Sequence, residues 1–138
     1  MTFDEDKIPE ILKTARTIAV VGISDKPDRD SYRVADYLAR HGYEVIPVNP
    51  VIESWNGKKA YPDLKSIPKD IKIDVVDIFR KPEAVPGIIS EARELNPVVI
   101  WMQEGVVSNE GASSAKKEGM AVIMDRCMMK EHMKMSGS

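Results

Sequence analysis

Five short, largely apolar runs recur along the chain: Ile18–Val21, Tyr43–Val48, Ile73–Phe79, Val98–Met102 and Met120–Met124. Each is too short for a core helix, and their Val and Ile content suits strands buried on both faces. Between them the period lengthens to that of a helix. Ile8, Ile11, Leu12 and Ala15 share one helical face, with Asp4 or Asp6 placed to cap it. Val34, Tyr37, Leu38 and His41 form a second face before Gly42, and Val85, Ile88, Ile89, Ala92 and Leu95 a third, with Pro86 in its first turn. Ser108 or Asn109 begins a helix through Glu118, and Cys127–Met135 makes a terminal one. Strands alternating with helices at this spacing predict an α/β fold, a Rossmann-like three-layer αβα sandwich on a mainly parallel sheet of about five strands. Right-handed crossovers predict a strand order of about 3-2-1-4-5 within one domain spanning residues 1–138. Lys58–Tyr61, beyond the Asn56-Gly57 turn, is the expected short edge strand, and Leu64–Ile67 a single helical turn. Pro47 confines the second strand to a position where one backbone nitrogen needs no partner.

The passage from the first strand into its helix carries the chemistry. After Val21 the pattern breaks at Gly22, and a polar loop containing Lys26, Pro27 and Arg29 runs to Ser31. Strand, glycine-led loop and helix open a βαβ unit, in which an anion lies over the carboxyl end of the strand against free helix N–H groups. Lys26 and Arg29 add full positive charges suited to phosphate. By the same topology the other strand ends, Val48-Asn-Pro50, Phe79-Arg-Lys81 and Met102-Gln-Glu-Gly105, converge on one site. Phe79 and Arg80 offer an aromatic or guanidinium face to a base.

Charge and composition exclude several partners. A net charge of -2 gives no basic excess for nucleic acid, and no run reaches the length that spans a bilayer. The acidic start Met1–Lys7 is no secretory signal, and a lone cysteine fits a reducing compartment, so a cytoplasmic location is expected. A dinucleotide is the default ligand of this fold, yet Ser24 and Pro27 stand where the second and third fingerprint glycines belong. Asn49, rather than an acid, closes the second strand.

Val20-Val-Gly-Ile-Ser24, Ser31-Tyr32, Gly42-Tyr-Glu-Val-Ile-Pro-Val-Asn-Pro50, Val76-Asp-Ile-Phe-Arg-Lys-Pro82 and Trp101-Met-Gln-Glu-Gly105 together resemble the small stand-alone coenzyme A-binding proteins. These are similar to the N-terminal domain of the succinyl-CoA synthetase α subunit. The resemblance runs from about Ile8 to His132 and implies a Rossmann-like domain that binds CoA or acyl-CoA at the strand ends. It implies Gly22, Ile23, Ser24, Lys26, Arg29 and Ser31 around the diphosphate and 3′-phosphate, and Asn49 and Pro50 beside the nucleotide. Phe79, Arg80 and Lys81 would border the adenine or pantetheine arm, and Met102, Gln103 and Gly105 would close the site. One departure is Val51-Ile52, where relatives often carry a lysine after the Asn-Pro turn; Lys58 or Lys59 would have to substitute.

The resemblance stops before the synthetase domain that carries a phosphorylated histidine, and the residues here supply no replacement. His41 and His132 read as helix-end or surface histidines, and Asp74 and Asp77 as structural acids. Cys127 with His132 makes no metal site. Cys127 reads as a small buried hydrophobe, with a mixed disulfide to the CoA thiol as the functional alternative. The methionines of the last helix suggest packing or a partner surface, such as a homodimer. Three functions follow: a non-catalytic CoA-binding module serving as sensor, carrier or thiol store; a CoA-using enzyme subunit that needs a partner chain; or an NAD(P)-binding redox regulator.

Overall fold

The structure, a computed structural model, describes residues 3–136. Its main sheet comprises β1 (Thr17–Val21), β2 (Glu44–Val48), β5 (Val75–Ile78), β6 (Val99–Met102) and β7 (Ala121–Ile123), all parallel, in the order β2-β1-β5-β6-β7. Two further strands, β3 (Ser54–Trp55) and β4 (Lys58–Lys59), form a separate antiparallel pair. Helices α1 (Ile8–Thr14), α2 (Asp30–Arg40) and α5 (Met128–Met135) cover one face, and α3 (Val85–Ala92) and α4 (Asn109–Lys117) the other. No helix among the described residues is long and apolar enough to cross a membrane.

Because both faces are covered, consecutive strand residues alternate between two cores instead of between core and solvent. Ile18, Val20, Val75, Val99, Trp101 and Ile123 pack beneath α1, α2 and α5. Ala19, Val21, Val76, Ile78, Ile100, Met102 and Val122 pack beneath α3 and α4. Every residue of β5 and β6 is buried, and each aliphatic side chain so enclosed contributes about 1.5–3 kcal/mol.

Two local expectations change. The outer third strand, Lys58–Tyr61, shrinks to a single parallel bridge between Val48 and Tyr61, so the five strands of the sheet run 2-1-3-4-5 in chain order rather than 3-2-1-4-5. The Asn56-Gly57 turn folds Lys58–Lys59 back onto Ser54–Trp55, and Pro62 follows at once, so only Tyr61 pairs with β2 through its backbone, while Lys58 Nζ bonds the Glu44 carboxylate and the Val45 carbonyl. Tyr61 N–H donates to the Pro47 carbonyl and the Tyr61 carbonyl accepts from Asn49 N–H. The hydrogen bonds to β1 fall on Glu44 and Val48, which leaves Pro47 facing the outer edge, where its missing N–H costs no ladder bond. Second, neither Asp4 nor Asp6 caps α1. Asp4 is buried instead, accepting from Val122 N–H at 2.8 Å and pairing with Lys116 at 2.9 Å. Burial pushes its carboxyl up, but the bonds from Val122, Lys116 and Lys7 outweigh that and hold it below the usual range. The N-terminal segment is thereby pinned to β7.

Asp74 accepts from the Arg16 and Thr17 N–H groups, both at 2.9 Å, and so fastens the start of β1. Asp77 is different. It is fully buried between Val20 of β1 and Trp101 of β6, and neither carboxyl oxygen has a hydrogen-bond partner among the described residues. Burial pushes its carboxyl well above the ordinary value, which keeps it protonated far beyond the range of a free aspartate. The folded state therefore holds this proton more tightly than the unfolded chain. Its contribution is complete below about pH 4 and is lost as pH rises toward the folded-state value. Relative to wild type, Asp77→Asn should gain stability as pH rises from about 4 toward the folded-state value, by at most about 1.4 kcal/mol per pH unit. Urea unfolding at pH 4, 5.5 and 7 measures this, and a pH-independent difference would refute it.

Candidate functional site

The carboxyl end of the sheet is shaped by Gly22. Its φ is +89°, and a Cβ there would lie 2.5 Å from the Phe79 carbonyl oxygen and 2.9 Å from Arg80 Cδ. Only glycine accepts both the backbone conformation and the close approach of the β5 end. One backbone bond, Phe79 N–H to the Val21 carbonyl at 2.8 Å, holds that approach, and Gly22 N–H to the Val48 carbonyl at 2.9 Å ties the same turn to the end of β2.

The loop that follows is tied by its own polar side chains. Ser31 Oγ accepts from Ser24 N–H at 2.9 Å, and Ser24 Oγ accepts from Lys26 N–H at 3.0 Å. Asn49 clamps the β1 and β2 loops together: its Nδ2 donates to the Ile23 carbonyl at 2.7 Å and its Oδ1 accepts from Val51 N–H at 2.9 Å. This bond pair needs a donor and an acceptor on one side chain, which an amide has and a carboxylate lacks. The physical reason for Asn49 in place of the acid of a dinucleotide fold is therefore structural. Arg29, the residue before α2, provides no side-chain cap, so the N–H groups of the first turn remain open to an anion.

Above this frame lies a cavity of about 620 Å³ lined by Gly22, Ser24, Lys26, Arg29, Ser31, Asn49 and Phe79 among the residues expected from sequence. Its volume falls in the range of small-molecule sites. Pro50 and Arg80 line an adjoining cavity of about 250 Å³ that also touches Gly22. Gln103 lines a third, of about 220 Å³, which shares Phe79 and Asp30 with the first. The structure does not bring the remaining expected residues to these walls. The side chains of Ile23 and Met102 are fully buried in the core. Lys81 is exposed outside the three cavities, and Gly105 donates its N–H to Asp125 Oδ1 at 2.8 Å.

Sequence reading missed Asp25, Asp28, Asp30, Val51 and Ile52 as lining residues. The acids carry no signal of their own in a polar loop where aspartate is common. Val51 was legible, because an apolar residue directly after a strand-end turn needs a reason to be there; it is 83% exposed at the rim. Asp30 is ion-paired to Arg33, whereas neither Lys26 nor Arg29 has an ion-pair partner among the described residues. Asp25 and Asp28 offset those two cations. The loop thus offers placed donors and not a net positive field. His41 and His132 sit with Tyr37 and Tyr43 at the other end of α2. There burial, and then the charge of His41, hold His132 below the ordinary value.

Comparison with known proteins bears on the domain as a whole. Residues 16–133 match the CoA binding domain family. The chain is 44% identical over 126 residues to the uncharacterized protein YneT of Bacillus subtilis, covering 91% of this chain and 92% of that one. It is 31% identical over 124 residues to the α subunit of the ADP-forming acetate–CoA ligase II of Pyrococcus furiosus, covering 82% of this chain but 27% of that subunit. A solved structure of a hypothetical protein from Pyrococcus horikoshii superposes with a TM-score of 0.91 at 40% identity, over 96% of this chain and 92% of that one.

Gly22→Ala should destabilise the fold by about 2–4 kcal/mol, from a left-handed backbone cost plus the clash with the Phe79 carbonyl. Chemical denaturation checks this; a loss under about 1 kcal/mol would show that the β1–β5 approach is not rigid.

Proposed function

The chain belongs to the CoA-binding domain family, and from that premise we propose that it binds coenzyme A or acyl-CoA non-catalytically along the carboxyl edge of its sheet, as sensor, carrier or thiol store. The observation that carries this reading is the cavity of about 620 Å³ that Lys26 and Arg29 line together with the uncapped first turn of α2. An extended ligand with phosphates at one end and a neutral arm at the other suits a trench of three adjoining cavities. In this reading Lys26, Arg29 and the N–H groups of α2 hold the phosphates. Phe79, with Val51 and Ile52 opposite, supplies apolar and aromatic surface for the adenine. No group of three or more potential metal-ligating side chains occurs among the described residues.

A second reading is favoured by one observation, the relationship to the α subunit of a CoA ligase, of which this chain spans 27%. As an enzyme subunit it would present CoA to chemistry supplied by another chain. Measuring acetyl-CoA cleavage in the presence of ADP and phosphate, with and without a candidate partner subunit, separates the two readings. Turnover only with the partner selects the subunit role.

Isothermal titration with CoA, acetyl-CoA, NAD and ATP tests the class. Micromolar CoA binding without an NAD response is expected, and NAD binding in place of CoA would overturn it. Lys26→Ala and Arg29→Ala should each weaken CoA by about tenfold, the loss of a charge-assisted contact. Their effect on dephospho-CoA should be smaller if they hold the 3′-phosphate, and equal losses would reassign them to the diphosphate.

A further inference from the structure

The third cavity differs in chemistry from the first. Its charged residues are paired with each other: Lys130 with Glu104 at 2.9 Å, and Arg33 with Asp30. With its cations engaged, it suits an uncharged, amide-bearing arm better than phosphate. Two of its walls come from the junction of β6 and α5. Gln103 is only 3% exposed, and its Oε1 accepts from Met128 N–H at 3.1 Å. That bond fixes the carboxamide and leaves its NH2 group, which has no partner among the described residues, at the cavity wall. That donor opens to the cavity and is free to bond an acceptor that the protein does not provide. Next to it stands Cys127, the residue that precedes α5. Its side chain makes no capping bond, it is 5% exposed, and it lines the same cavity.

We propose that this cavity receives the amide-containing, thiol-ended arm of the ligand and that Cys127 is its covalent anchor, the acceptor of a reversible mixed disulfide. This rests on the CoA-binding reading above and adds to it a modification site. The phosphate end lies over the loop after Gly22, the arm passes Phe79, which both cavities share, and Gln103 NH2 donates to an arm carbonyl. The oxidant is a low-molecular-weight disulfide, the symmetrical disulfide of CoA. Cys127 gives up its thiol proton to solvent and, as thiolate, attacks one sulfur of that disulfide. The ligand S–S bond breaks and the Cys127–S–S–CoA bond forms. The second CoA leaves with the electron pair and takes a proton from water. Any free thiol reverses the step, so the bound state reports the thiol–disulfide balance of the surroundings.

The chain has one cysteine, so the informative quantity is rate. The full chain is exposed to CoA disulfide or to cystamine, and adduct formation is followed by intact mass. Each rate is divided by that of the same reagent with urea-unfolded chain, which removes intrinsic reactivity. The normalised rate with CoA disulfide should exceed that with cystamine by about tenfold or more, because a seated reagent raises the effective concentration at the thiol. Excess acetyl-CoA, which has no free thiol, should suppress the reaction. Equal normalised rates, or no protection by acetyl-CoA that titration shows to be bound, would overturn the anchor while leaving CoA binding intact. Absence of CoA binding in the titration under reductant would overturn the binding reading itself, and the anchor with it.

Discussion

The close approach of the β1 end to the β5 end at Gly22 is the constraint on which the site depends. Four other glycines have positive φ, but a side chain at Gly42, Gly57, Gly105 or Gly119 would meet open space. At Gly22 it would meet a backbone carbonyl. β1 is the second strand of the sheet and pairs on both sides, with β2 and β5. Its exit therefore has to clear two neighbouring strand ends before the chain can turn into α2. Holding that exit tight brings Asn49 of one neighbour and Phe79 of the other to the same loop. Any displacement of β5 to admit a side chain would separate Phe79 from the cavity it lines, so fold and site share this restraint.

The architecture was legible because it follows from periodicity and punctuation. The fully apolar β6, Pro86 in the first turn of α3 and Ser108 accepting from Gly111 N–H at 3.0 Å all sit where local rules place them. What could not be read depended on partners distant in sequence. Asp4 gave a plausible cap, but Val122 and Lys116, more than a hundred residues away, offered a better set of donors. The outer third strand failed because a two-residue turn competes locally for Lys58–Lys59 and wins over a longer-range pairing. Asp77 illustrates the same limit. Strand alternation gives the face it points to, but not whether anything there would bond to it.

Within the site, sequence identified the residues that change the character of the loop and overlooked those that complete it. Lys26, Arg29 and Asn49 stand out by type, and the cavity contains all three. Ile23 and Met102 belong to the same motifs but point into the cores on either side of the sheet. In a strand-end motif, alternate residues serve the fold and the site in turn. A motif match therefore names neighbours of a ligand more reliably than it names contacts.

The distribution of charge along the trench bears on how a ligand would be chosen. A loop whose cations are offset by Asp25 and Asp28 exerts little long-range attraction, so it gains little in encounter rate from electrostatic steering. Its selectivity must come at short range, from donors already placed. The bonds that fix those donors, Ser24 to Ser31 and Asn49 to both loops, are made within the protein. Ordering cost is thus met on folding and not on binding, the condition under which a modest number of contacts gives useful affinity. The same offset penalises other polyanions. Nucleic acid and inorganic polyphosphate gain from diffuse positive potential, which this surface lacks, whereas a ligand with a short run of phosphates and a long neutral arm loses nothing by its absence. On the proposed reading, specificity at this edge of the sheet would be a matter of length and of where charge stops along the ligand.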